Sequence, residues 1–150
     1  MPLVATTAVE VVPLRRLVDG GIEVWVHERE PDDFYKGEVG TTGSVLRGTD
    51  SEGEGTLAFR DAILHVLRGE LGVNASQVRI YPAGEYNAHT PRCPHLHRIF
   101  VAILNEGPTK PGMWVPVEHL PDNFIDHLRV VVQIAVGKFR EMPFEEVLSL

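Results

Sequence analysis

Two apolar runs meet at Asp19-Gly20-Gly21, and this junction constrains the fold more than any other stretch of the chain. Before it, Thr7 to Val18 carries Val9, Val11, Val12 and Leu14; after it, Ile22-Glu23-Val24-Trp25-Val26-His27 alternates at period two. Asp-Gly between two such runs signals a hairpin, so two antiparallel strands are expected at the start of the fold. Periodicity then changes. Phe59, Ala62, Ile63, Val66, Leu67 and Leu71 recur at spacings of three and four, which predicts a helix over 57–71, with Thr56 as N-cap and Gly72 at its end. Further strands are expected over 78–81, 96–104 and 114–117, and a short one at Val45-Leu46. Asp122 stands as the cap of a second helix over 123–139 that turns Ile125, Leu128, Val131, Val132 and Ala135 inward. The 142–150 tail is read as one short turn. Neither a repeat nor an internal linker interrupts the chain.

A length of 150 residues suits one domain, 1–150, and 43% hydrophobic residues suffice for its core. Such a domain buries roughly 70% of the surface its unfolded chain exposes. The lone Cys93 excludes an internal disulfide and favours a reducing compartment. With no apolar run near the ~20 residues that span a bilayer, and no signal-peptide pattern in Met1–Val12, the expectation is a cytoplasmic, soluble protein. The net charge of −7 repels polyanions, so a broad nucleic-acid surface is not expected. A small phosphorylated partner is compatible, since one arginine or one metal ion can hold it. Nothing here fixes an oligomeric state.

The order of hairpin, glycine-rich loop, helix, strands and helix resembles the Nudix hydrolase fold, and two stretches carry the resemblance. Arg60-Asp61-Ala62-Ile63-Leu64-His65-Val66-Leu67-Arg68-Gly69-Glu70-Leu71-Gly72-Val73 is similar to the second half of the Nudix box, A-x-x-R-E-U-x-E-E-x-G-U with U aliphatic. Met113-Trp114-Val115-Pro116-Val117-Glu118-His119-Leu120-Pro121 matches the W-x-x-x-E-x-L-P run that commonly precedes the last helix. The resemblance implies an α/β (α+β) fold, a mixed sheet sandwiched between helices. It also implies a Mg²⁺-dependent pyrophosphohydrolase, in which carboxylates hold the metal and the metal activates water.

Several box residues are replaced. His65 stands for the arginine, Val66 for the first glutamate and Gly69 for the next, which leaves Glu70. Positions 66, 69 and 70 are expected on one helix face. Gly43 is the counterpart of the opening glycine, and Glu54 after Gly53 resembles the family's G-E pair at a different spacing. The resemblance therefore suggests Glu70 as metal ligand, and Glu70 and Glu54 as catalytic carboxylates. Arg47 stands as a phosphate contact and Trp25 as a base-stacking residue. Glu52, Glu85 and Glu118 are substitute carboxylates that ordinarily lie in solvent; Tyr35, Tyr86 and Trp114 are further aromatics that ordinarily lie in core or rim. Cys93, His95 and His97 form a zinc candidate whose spacing is not that of a common structural site. Two functions are open: a domain that binds a nucleoside-diphosphate-like molecule with weak or no hydrolysis, or an active Mg²⁺-dependent hydrolase of a nucleoside diphosphate linked to another group.

Overall fold

The computed structural model describes residues 6–29, 37–45, 59–89 and 94–141. Among these residues seven strands and two α-helices succeed one another: β1 (Thr6–Arg16), β2 (Ile22–Glu28), β3 (Val39–Gly40), β4 (Thr42–Val45), α1 (Arg60–Val66), β5 (Val78–His89), β6 (Pro94–Leu104), β7 (Met113–Pro116) and α2 (Asp126–Arg140). A π-helical turn, Leu67–Leu71, continues α1. The sheet runs β3-β2-β1-β6-β5, with β4 beside β1 and β7 beside β2. All pairings are antiparallel except β1 with β6, which makes the sheet mixed.

The first strand serves two partners along one edge. Residues 8–11 pair with β4 and residues 14–16 with β2. Pro13, which has no N–H to donate, falls at the changeover, where proline costs a sheet least. The hairpin turn closes through Gly20 at φ +90° and a hydrogen bond from the Gly21 N–H to Asp19 Oδ1 at 2.8 Å. This confirms the expected hairpin and explains its residues: Gly20 occupies the left-handed region without a Cβ penalty.

Alternation along β1 sends Val9 and Val11 to one face and Val12 and Leu14 to the other. On the first face they pack against Ala62, Ile63, Val66, Leu67 and Leu71 of α1 and its extension. On the second, Leu128, Val131, Val132, Ala135, Val136 and Phe139 of α2 cover Val12, Val24, Ile99 and Val101. Helices on both faces of a mixed sheet form the expected sandwich.

Two boundaries differ from the periodicity reading. The strand expected to stop at Tyr81 continues to His89, because a register shift between Pro82 and Gly84 absorbs the proline and Gly84 takes φ +148°. The second helix starts at Asp126, not 123. Val39 N–H donates to the Asn123 carbonyl at 3.0 Å and Ile125 N–H to the Val39 carbonyl at 2.9 Å, so β3 claims those residues first. The first helix is described from Phe59 onward, so Thr56 lies outside the described residues, as do Leu46 and 142–150.

The end of that helix departs most from expectation. The Gly72 N–H reaches back to the Leu67 carbonyl, five residues away, which widens the turn. Gly72 then ends it at φ +67°, as its position predicted. Thr109 N–H caps the Leu71 carbonyl at 2.9 Å, and Thr109 Oγ1 donates to the Gly72 carbonyl at 2.8 Å. Within the widened turn Gly69 faces open space, with no atom within 4 Å of where a Cβ would sit. Gly69→Ala should therefore raise stability by up to about 1 kcal/mol, read by urea denaturation. A loss would mean that the turn needs glycine's backbone freedom.

Candidate functional site

A cleft of ≈ 530 Å³ opens between the end of the first helix and the tip of the β2–β3 region, within the size range of small-ligand sites. Val26, His27, Glu28 and Arg29 from β2 and its end form one part of it, with Val39 beside them. Gly69 and Glu70 of the π turn form another, and Lys110, Pro111, Gly112 and Met113 from the loop leading into β7 close it. The loop is held to the helix end by the Thr109 bonds already described and by Lys110 N–H to the Leu71 carbonyl at 3.4 Å.

Glu70 lies on the cleft wall. Its Oε1 lies 3.9 Å from His27 Nε2. His27 Nδ1 lies 3.3 Å from the Glu28 carbonyl, and Nε2 is the ring atom turned to Glu70. Gly69 lines the cleft without a side chain.

Val66 is elsewhere. It is fully buried in the core with Ile63 and Leu67, whereas Gly69 and Glu70 line the cleft. The donor set bears directly on the Mg²⁺ that the resemblance implies. A site for Mg²⁺ wants several oxygens around one point. The described residues bring together no group of three His, Cys, Asp or Glu side chains able to hold a metal ion, and the group 3.9 Å from Glu70 Oε1 is an imidazole rather than a second carboxylate. By themselves the described residues, Glu70 and Glu28 on the cleft wall, supply too few oxygens to fit a resident Mg²⁺.

Trp25 is not on the cleft surface. It is 7% exposed and packs edge-on against Trp114 with ring centroids 5.7 Å apart, beneath Gly112, where any Cβ would collide with the indole. Trp114 is in turn covered by the Arg15 guanidinium, 4.3 Å from its centroid. The stacking role expected for Trp25 is corrected to a core role, because the alternation of β2 turns it inward with Val9 and Val11. Arg47, Glu52, Glu54, Tyr35 and Cys93 lie outside the described residues. Of the other candidates, Glu85 pairs with Arg98, and Glu118 lies 4.0 Å from Arg140. Tyr86 stacks on His97.

His97 belongs to a second polar group, under the start of α2. It is 3% exposed, and its Nδ1 lies 3.0 Å from Oε1 of Glu10, itself 4% exposed. The His127 ring is 5.4 Å from that of His97. A buried histidine–carboxylate contact of this kind was not legible from the sequence, where Glu10 reads as one polar position in an apolar strand. Arg29 and Lys110 were also missed, since neither stands in either family stretch.

No family model and no curated protein matches the sequence. Solved structures do resemble the fold. A Nudix hydrolase from M. smegmatis, RenU, aligns at TM-score 0.66 with 13% identity over 93% of this chain and 89% of that one. The Ap4A hydrolase of C. elegans aligns at 0.66 with 14% identity, over 91% and 99%. The Nudix domain of Shewanella oneidensis NrtR, solved with ADP ribose, aligns at 0.61 with 17% identity, over 91% and 89%. With the sheet order, the two covering helices and the cleft at Glu70 all in place, the chain has the Nudix fold, in a divergent sequence.

Proposed function

We propose that the domain binds a nucleoside-diphosphate-like molecule in the cleft at Glu70, with weak or no hydrolysis. The observation that carries this reading is the composition of the cleft wall, where Glu70 stands beside His27 while Val66 is in the core and Gly69 has no side chain. The neighbours support the ligand class: one is an Ap4A hydrolase and another was solved with ADP ribose. Catalysis through Mg²⁺ needs several oxygen ligands, so binding outlasts hydrolysis when they are lost. No helix among the described residues is long and apolar enough to cross a membrane, in keeping with a ligand met in solution.

The test is a thermal melt of the full chain with ADP, ADP-ribose and a diadenosine polyphosphate, each with and without Mg²⁺, alongside an assay for phosphate or nucleotide release. A ligand that binds the native state stabilises it by RT ln(1 + [L]/Kd). Nucleotide is expected to raise the melting temperature without turnover. Magnesium alone is expected to shift neither wild type nor Glu70→Gln. The second reading, a Mg²⁺-dependent hydrolase using Glu70, is favoured by the position of that residue on the wall. It would win if release occurs with Mg²⁺ or Mn²⁺ and is lost in Glu70→Gln. No shift with any nucleotide, together with no release, would remove both.

A further inference from the structure

We infer that the cleft takes the diphosphate group of its ligand directly on Arg29 and Lys110, with no divalent cation between protein and phosphate. The inference rests on the nucleotide-binding reading above and adds which residues supply the positive charge.

Carboxylates outnumber cations in this chain, 21 Asp and Glu against 14 Lys and Arg. Most arginines of the described surface have found one: Arg15 pairs with Glu23, Arg60 with Asp61, Arg98 with Glu85, Arg129 with Asp126 and Arg140 with Glu118. Arg29 and Lys110 both line the cleft, and neither forms an ion pair among the described residues. Glu28 and Glu70 line the same cleft, yet neither cation is paired with them, so both Arg29 and Lys110 keep their donors for an anion that enters it.

Arg29 is positioned rather than merely present. Its backbone N–H donates to the Glu38 carbonyl at 2.9 Å, and its Nη2 donates to the Thr41 carbonyl at 3.3 Å. The guanidinium lies over Gly40, where a Cβ would come within 3.1 Å of Nη2 and 3.2 Å of Nε. Its Nε is buried without a hydrogen-bond partner among the described residues. An uncompensated guanidinium donor costs free energy until an acceptor arrives, and the guanidinium fork fits two phosphate oxygens at once. Lys110 comes from a separate element, the loop pinned to the helix end at Leu71. It offers a compact point charge. Two fixed positive charges offset most of the charge of a diphosphate. That is the task the metal performs in the enzymes this fold resembles, and the described residues do not fit the metal.

Calorimetric titration of the full chain with inorganic pyrophosphate and with ADP, first in EDTA and then in Mg²⁺, tests this. Binding is expected in EDTA, with no gain on adding Mg²⁺, and weakening as salt screens the charges. Lys110→Gln, an exposed position, should weaken pyrophosphate binding roughly tenfold or more without changing the melting temperature. Arg29→Lys, which keeps the charge and loses the fork, should weaken it less than Arg29→Gln. Binding that requires Mg²⁺, or binding in EDTA unaffected by Lys110→Gln and Arg29→Gln, would overturn the inference and leave the nucleotide-binding reading standing. Failure of both ligands in both conditions would overturn the two together.

Discussion

Val66→Glu is expected to cost the domain about 3–5 kcal/mol, the range for a buried charge with no partner. Sequence alignment alone points the other way, since this substitution restores a glutamate of the Nudix box. The structure decides against it. Val66 is fully buried among Ile63, Leu67 and the β1 valines. Gly69→Glu restores the next box position and should be nearly free. No atom lies within 4 Å of its missing Cβ, and the side chain enters the cleft. Removing a helical glycine gains up to ~1 kcal/mol, and a second negative charge near the helix end returns ~0.3–1 kcal/mol of it. For a domain of this size the first variant should melt roughly 10 °C or more below wild type and the second within a few degrees. A Val66→Glu protein that melts like wild type would show that position 66 faces the cleft after all.

Gly43→Ala should be nearly as damaging, by about 2–4 kcal/mol, although the substitution adds one methyl group. Gly43 lies opposite Glu10 across the β1–β4 pairing, and a Cβ there would come closer than 3.0 Å to all three carboxylate atoms of Glu10. That carboxylate cannot swing away cheaply, because it is buried and bound to His97. Clash and broken pair are one event, so the effect should be coupled. Glu10→Ala removes the obstacle, and the double variant should be more stable than the sum of the two single losses by at least about 1 kcal/mol. Strict additivity in a double-mutant cycle would show that the close approach does not constrain either residue.

How much of this was legible in the residues differs by element. Asp19-Gly20 gave away the hairpin because only certain residues tolerate φ > 0. The apolar spacing through Phe59 and Leu71 gave away a helix because burial selects one face. The π turn was hidden, since hydrophobic spacing does not distinguish a turn of four from a turn of five. The burial of Val66 was hidden as well, since a box position does not say whether the core claims it. The β3 contact that delays α2 to Asp126 was hidden too, because Asn123 and Ile125 are claimed by Val39, far off in sequence. The cleft shows the same division. Glu70 was singled out through its box position, and it lines the cleft. Arg29 and Lys110 were not, because what marks them is the cleft they share from two separate elements, a property of space rather than of order along the chain.

The pairing of β1 with β6 carries a consequence for how the chain reaches this fold. Position 6 meets position 95, and position 13 meets position 102, in the one parallel ladder of the sheet. The β1–β2 and β5–β6 pairs close over short separations and can form early, each from its own segment. Neither buries both of its faces alone. Joining them closes a loop that contains the first helix and most of the cleft, so the entropy of that loop is lost in a single late step. A nascent chain that has not yet produced β6 holds β1, one of the most apolar strands, with its inner edge open. Refolding speed and the hazard of edge-to-edge association are thus set by the same strand that later anchors both layers.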